Sequence, residues 1–350
     1  MGSAVASDRL VLAAGAVGLL ALALTAALAL QVLAMRLRRA ARERRHARVL
    51  AAWRPILFGW IVGEEPATPT VRPAEEEPLL LLWNQLQDGL LGDARTRLGR
   101  VGERIGVHRM ARRRLERGDA LDRLLALRTL GHLGRAADRR DVLRGLDERR
   151  TYLCVAAARA LVHIDPAGAP AELLPRLARR TDWPVPVFAT LLAEADPDET
   201  ARRLREAIRG LGREPLVRML PLVGVVDGAT ADEILGGLLG TTDDPEVVAA
   251  ALKRVESPRL LPHVRRACTH GEWAVRTQAA AALGRVGDRG DRDVLLRLLC
   301  DRGWWVRYRA AQALLSGRFG PAAEVAEAAL ALGDRYARDA VTHVLAEVRA

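Results

Sequence analysis

The chain has 350 residues, half of them apolar, which is enough to bury one large core or two ordinary ones and excludes global disorder. Only 4% are aromatic, and the apolar share is mostly Leu, Ala and Val, a mix that favours helix over sheet. Three cysteines, Cys154, Cys268 and Cys300, exclude a disulfide framework and a four-thiolate zinc site.

The net charge of +11 points to nucleic acid or an anionic membrane face as partners. Lys253 is the single lysine among 54 basic residues, so the presence of an Arg carries little weight by itself. The charge is unevenly placed. Residues 36–48 carry seven Arg against Glu43, residues 93–117 carry nine Arg against three acids, and the remainder after residue 117 is close to neutral. A long basic groove for nucleic acid along the main body is therefore not expected.

In chain order, residues 1–9 read as a short extracytoplasmic N-terminus. Residues 10–35 run without a charge and are expected to form a transmembrane helix, since helix at about 1.5 Å per residue crosses a hydrocarbon core of about 30 Å. A cleaved signal peptide is the rival reading, but its apolar core is shorter and its basic residues precede that core. The Arg cluster follows the run, so the positive-inside rule places the N-terminus outside and the bulk of the chain in the cytoplasm. A bacterial inner membrane, crossed once, fits this orientation.

Residues 36–63 are expected to be a basic juxtamembrane and interfacial segment. Arg36, Arg38, Arg39 and Arg42 would attract anionic lipid, and Trp53, Phe58 and Trp60 are residue types that settle at a headgroup boundary. A helix packing on the following domain is the alternative for 49–63. Residues 64–78, rich in Glu and Pro, read as an extended linker.

The remainder, 79–350, is repetitive, with 79–120 as an irregular N-terminal cap. Residues 273–288 and 304–314 superpose at an offset of 31, through Val275 and Val306. Extending the frame puts anchors at Asp122, Leu153, Val185, Val217, Val247, Val275, Val306 and Ala337. Four positions after the anchor, Ala recurs at 126, 157, 189, 251, 279 and 310; eight positions after, every residue is apolar. These columns share one helix face, and the small column lets a neighbouring helix approach. Gly and Asp near Gly287 and Asp288 end the first helix, a second apolar-periodic run follows, and Pro or Asp resets the chain. A helix pair of about 30 residues cannot bury its own apolar face, so successive pairs stack. The expected fold is all-α: an N-terminal transmembrane helix and then an α-solenoid of about eight helix pairs.

The signature W-x-V-R-x-x-A-A-x-A-L-G, carried by Trp273, Val275, Arg276, Ala279, Ala280, Leu283 and Gly284, resembles HEAT-like repeats of the phycobilisome-lyase type over about residues 120–350. The whole chain also resembles bacterial HEAT-repeat membrane proteins with one N-terminal span. That second resemblance rests on Trp-Arg-Pro at 53–55, Leu-Trp-Asn-Gln-Leu-Gln at 82–87, Thr-Leu-Gly-His-Leu at 129–133, Asp-Trp-Pro at 182–184 and Trp-Trp-Val-Arg-Tyr-Arg-Ala-Ala at 304–311. It implies a neighbouring family-2 glycosyltransferase.

Little points to catalysis. No His-Glu-x-x-His spacing, no Gly-x-x-x-x-Gly-Lys loop and no Gly-x-Ser-x-Gly elbow occurs. Cys268 and His270 lack a second ligand pair, so no metal is expected, and no cofactor. Arg276, Arg307 and Arg338 recur in one column and are expected to bond an Asp or carbonyl of the adjacent repeat. Trp304, Trp305, Tyr308 and Arg309 form the candidate partner site, because Trp, Tyr and Arg dominate interface energetics; inter-repeat packing is the alternative, and Trp304 is expected to be packed. The expected function is a membrane-anchored, non-enzymatic scaffold that holds a protein partner at the cytoplasmic face. A HEAT-like lyase, a small-ligand binder and a nucleic-acid-binding solenoid are the alternatives.

Overall fold

The computed structural model describes the backbone of residues 2–349, with side chains of residue 25 and of residues 27–347 other than 42, 322 and 330. Helix is the only regular structure among the described residues, and the chain divides into two compact units, residues 1–133 and 134–350.

The first unit holds α1 (Gly2–Val62), α2 (Glu76–Gly89), α3 (Gly92–Ile105), α4 (Val107–Arg117) and α5 (Ala120–Leu133). α1 runs unbroken through the boundary expected at 35, with Pro55 inside it. Val49, Trp53, Leu57 and Trp60 recur every three or four residues and form one buried stripe, while Pro55 falls on the exposed side. The stripe joins Leu79, Leu80, Trp83, Leu98 and Val101 in a single core. α1 ends at Gly63, whose φ of +96° suits glycine, and the Glu64 N–H closes onto Gly59 O at 2.8 Å. Arg97 Nη1 donates to Ile61 O at 3.1 Å and satisfies another terminal carbonyl.

Two expectations about this region are corrected. Among the described residues, no helix is long and apolar enough to cross a membrane. The side chains of 10–24 and 26 of the expected span lie outside the described residues, and the helix that holds the rest of it runs on into the Arg cluster at 36–48. The single-pass placement in an inner membrane, with the N-terminus outside, falls with the span. Nor does the Glu/Pro segment run free. Trp60 Nε1 donates to Pro66 O at 3.0 Å, and a Cβ at Gly59 would lie 2.9 Å from the Pro66 ring, so the chain turns back on α1.

α2 and α5 are joined through the motifs at 82–87 and 129–133. Asn84 Nδ2 donates to Thr129 Oγ1 at 3.0 Å, both side chains being buried, and the Trp83 and His132 rings meet edge to face at 6.1 Å. Trp83 also donates to Leu98 O at 3.1 Å, and Gly102 makes room for its indole: a Cβ there would sit 2.9 Å from Trp83 Nε1.

The second unit opens with α6 (Arg139–Gly145) and continues as helix pairs: α7 (Thr151–Ile164) and α8 (Ala169–Arg179); α9 (Val185–Ala193) and α10 (Pro197–Arg209); α11 (Arg213–Met219) and α12 (Gly228–Thr241); α13 (Pro245–Leu252) and α14 (Leu261–Ala267); α15 (Trp273–Val286) and α16 (Arg292–Leu299); α17 (Trp304–Leu314) and α18 (Ala322–Ala331). A single helix, α19 (Arg335–Arg349), follows. Each anchor lies in the first helix of its pair, except that Asp122 lies in α5 of the first unit and Ala337 in α19.

First helices pack on first helices: α7 on α9, α11 on α13, α13 on α15, α15 on α17 and α17 on α19. The small column explains the close approach. Ala157, Ala251, Ala279 and Ala310 are buried, and a Cβ at Gly284 of α15 would lie 3.0 Å from Ala313 Cβ of α17. The frame slips in α11, where Leu216 and Leu220 are buried instead of Val217 and Pro221. Asp-Pro pairs restart the helices: Asp196 accepts from Glu199 N at 2.8 Å and Asp244 from Glu246 N at 3.0 Å, with Pro next at the first helical position.

Candidate protein-interaction face

Of the three arginines expected to link repeats, Arg276 does so. Arg276 of α15 grips Asp301 with two parallel bonds, at 2.7 and 3.0 Å, across to the following repeat. Its third nitrogen donates to His270 O and Gly271 O. Burial works against the Asp301 carboxylate, but the Arg276 guanidinium outweighs it and holds the pKa below the ordinary value. Arg218 donates to Ala178 O and Arg180 O of an earlier pair, so it and Arg276 hold one repeat against another. Arg307 instead donates to Asp301 O at 2.8 Å, in the turn before its own helix, and Arg338 is exposed, so the expected link to an adjacent repeat is corrected for these two.

The residues two and one before the anchor are different. Trp273 and Trp304 are the first residues of α15 and α17, and Trp305 and Tyr336 are the second residues of α17 and α19. All four side chains stand half in solvent, at 50%, 45%, 51% and 55% exposure respectively. Trp304 stacks on Tyr308 at 5.1 Å and meets Trp305 edge to face at 4.7 Å. His343 of α19 closes against Trp304 and Tyr308, at 6.1 and 5.9 Å. Tyr308 donates its hydroxyl to Glu347 at 2.8 Å and accepts from Gln312 Nε2, and the Glu347 carboxylate raises the phenol's pKa. Arg309 reaches Gln312 Oε1 at 2.8 Å and lies 6.0 Å from the Tyr308 ring. Arg307 and Arg335 flank Tyr336 at 5.1 and 5.4 Å. The rings are thus oriented by neighbours while leaving large apolar faces in water.

Trp304, Trp305, Tyr308 and Arg309 are brought together as one cluster. The expectation that Trp304 is packed is corrected, since nearly half of it is exposed. The sequence reading missed Tyr336, which stands in the Trp305 column one repeat later, and the exposure of Trp273. Trp183 occupies the same column as Trp273 and Trp304 yet is buried, stacked on Phe188 at 4.2 Å. It precedes Pro184 and lies outside α9, so its ring swings inward instead of starting the helix.

The other residues singled out fall elsewhere. Arg36, Arg38 and Arg39 are exposed on α1, Arg39 pairing with Glu43 at 3.0 Å. The Arg42 side chain lies outside the described residues. Phe58 is exposed, but Trp53 and Trp60 are core residues of the first unit, so packing accounts for them in place of a headgroup boundary. The Gly-rich run 235–240 lies inside α12. Cys268 is buried in apolar surroundings with Asp291 nearby, which pushes its pKa up to about 12, and burial also raises Cys154 and Cys300. None of the three is an activated thiolate. No group of three or more metal-ligating side chains occurs among the described residues.

Several solved structures share this helical build. The crystal structure of Kap121p matches at 15% identity with a TM-score of 0.47, over 79% of this chain and 37% of that one. An engineered protein matches at 17% identity and 0.33, over 88% and 95%. This chain thus spans just over a third of Kap121p. No curated protein matches it. The model of HEAT repeats matches residues 243–315, the stretch from α13 to α17 that carries Trp273, Trp304 and Trp305.

Proposed function

We propose that the second unit is a non-catalytic scaffold that docks a protein partner on the aromatic face formed by Trp273, Trp304, Trp305 and Tyr336. The observation behind this reading is that four large aromatic side chains remain half exposed at the starts of α15, α17 and α19, with Trp304 and Trp305 held by ring contacts and Tyr336 flanked by two guanidinium groups. Isolated exposed apolar residues need no explanation, but Trp and Tyr recurring at the starts of successive helices, with Arg beside them, have the composition of an interface hot spot. A family-2 glycosyltransferase is the first purified partner to try, on the strength of the whole-chain resemblance.

The test uses the full chain and a Trp305→Ala, Tyr336→Ala double variant with unchanged thermal unfolding. A purified partner identified by co-isolation is titrated against both. Loss of about thirtyfold or more in affinity supports docking on this face. Equal affinity for both chains excludes it.

A further inference from the structure

The first unit contains a polar cavity of about 360 Å³ between the returning segment after α1 and the α3–α4 corner. Its walls carry three guanidinium groups, from Arg104, Arg109 and Arg113, and two hydroxyls, from Thr68 and Thr70. The backbone builds this convergence. Gly106, at φ +81°, ends α3 and starts α4, which sets Arg104 in the last turn of one helix beside Arg109 in the first turn of the next. Arg113 follows Arg109 by one helical turn and so lies on the same face. The returning segment, held to α1 by the Trp60–Pro66 hydrogen bond, supplies the threonines.

The charges there are unbalanced. Glu76 is the one carboxylate lining the cavity, and it is paired with Arg113. Arg104 lies over the Trp60 ring, at 5.5 Å, and among the described residues neither Arg104 nor Arg109 has a carboxylate partner. The arginine-rich composition of the chain does not explain this: many arginines of the second unit, such as Arg139, Arg176, Arg180, Arg265 and Arg276, bond carboxylates. Both side chains are exposed, so solvent screens their charge, and an anion seated beside them would neutralise it.

We propose that this cavity binds a phosphate monoester. A planar guanidinium matches phosphate oxygens two at a time, the hydroxyls of Thr68 and Thr70 supply neutral donors, and a dianion neutralises the two uncompensated charges. The volume suits a phosphate on a short carbon skeleton and lies near the lower end of small-molecule sites, roughly 300–1,000 Å³. This site lies wholly in the first unit and is independent of the aromatic face.

The test is calorimetric titration of the full chain with glycerol 3-phosphate at matched ionic strength. Saturable one-to-one binding is expected, weakened about tenfold by Arg109→Gln, whose side chain is exposed and supports no core contact. Arg302→Gln, an equal charge change in the second unit, should leave it unaltered. Soluble dioctanoyl phosphatidic acid presents the same monoester on a lipid. Equal affinity assigns the ligand to free metabolites, and much tighter binding assigns it to a lipid headgroup. Absence of saturable binding to either compound, or equal weakening by Arg109→Gln and Arg302→Gln, overturns the proposal.

Discussion

Tryptophan meets opposite fates in the two units. In the first, Trp53, Trp60 and Trp83 are all buried, and two of them spend their indole N–H on a carbonyl of a neighbouring segment. In the second, Trp183 is buried while Trp273, Trp304 and Trp305 stand half in water. The difference follows from how each core is filled. The core of the first unit is filled by Trp53, Trp60 and Trp83 together with Leu and Val. The second is built from repeated Ala, Val and Leu columns that leave no space for an indole, so a Trp beside an anchor stays outside unless, like Trp183, it lies before the helix starts. A Trp of the first unit is therefore a packing element, and one at the start of α15 or α17 keeps about half its surface in water.

Substitutions can break or sharpen this contrast. Trp83→Ala should be the most damaging, at about 3–5 kcal/mol by denaturant titration, because it opens a cavity in the first core and removes the indole bond to Leu98 O. Ala279→Leu tests the small column from the other direction. Overfilling the contact between first helices should cost about 1–3 kcal/mol, read by the same titration. Neither change should alter a site in the other unit.

Asp301→Asn weakens the bidentate link to Arg276 and should cost roughly 1 kcal/mol at neutral pH. The sign of its pH dependence is set by the depressed pKa of Asp301. Its stabilisation is present above the ordinary carboxylate range and is lost as pH falls through the folded-state value. Asp182 acts in the same sense. Its hydrogen bonds from Arg180, with a further one from Thr151, hold it at about 2, so its contribution disappears between the ordinary value, about 3.9, and about 2. Thermal unfolding against pH should show a shallower acid limb in Asp301→Asn and Asp182→Asn than in the parent. The smallest effect on stability belongs to Trp305→Ala with Tyr336→Ala, within about 0.5 kcal/mol for exposed positions. A loss well above that would mean these rings hold α17 and α19 together, and would move them to the packing side of the comparison.

Much of the second unit was legible in the sequence because its information is local and repeated. Anchor spacing placed every first helix, a Pro or Asp before the next anchor was readable as a reset, as Asp244-Pro245 is at α13, and Arg276 was readable as a link between repeats. The first unit was legible only in part, since it depends on single contacts between distant segments. Nothing near Asn84 announces Thr129, and nothing near Trp83 announces Gly102. The apolar patch at 49–63 was visible, but a patch does not say what covers it; here α2 and α3 do. The long uncharged run at 10–35 invited a spanning helix on length alone, and the described helices do not bear that out.

The cluster at Trp304 to Arg309 was likewise visible as an excess over the repeat, while Tyr336 went unread in the last repeat. Spacing alone determined that this chain is helical, that its C-terminal two-thirds is a stack of similar units, and which columns face inward, because helical periodicity and a recurring small residue are properties of short stretches of chain. Tertiary structure decided which tryptophans are covered, which arginines find a carboxylate and which converge unpaired on a cavity. Burial and charge balance depend on what arrives from elsewhere in the chain, and a linear pattern does not contain that.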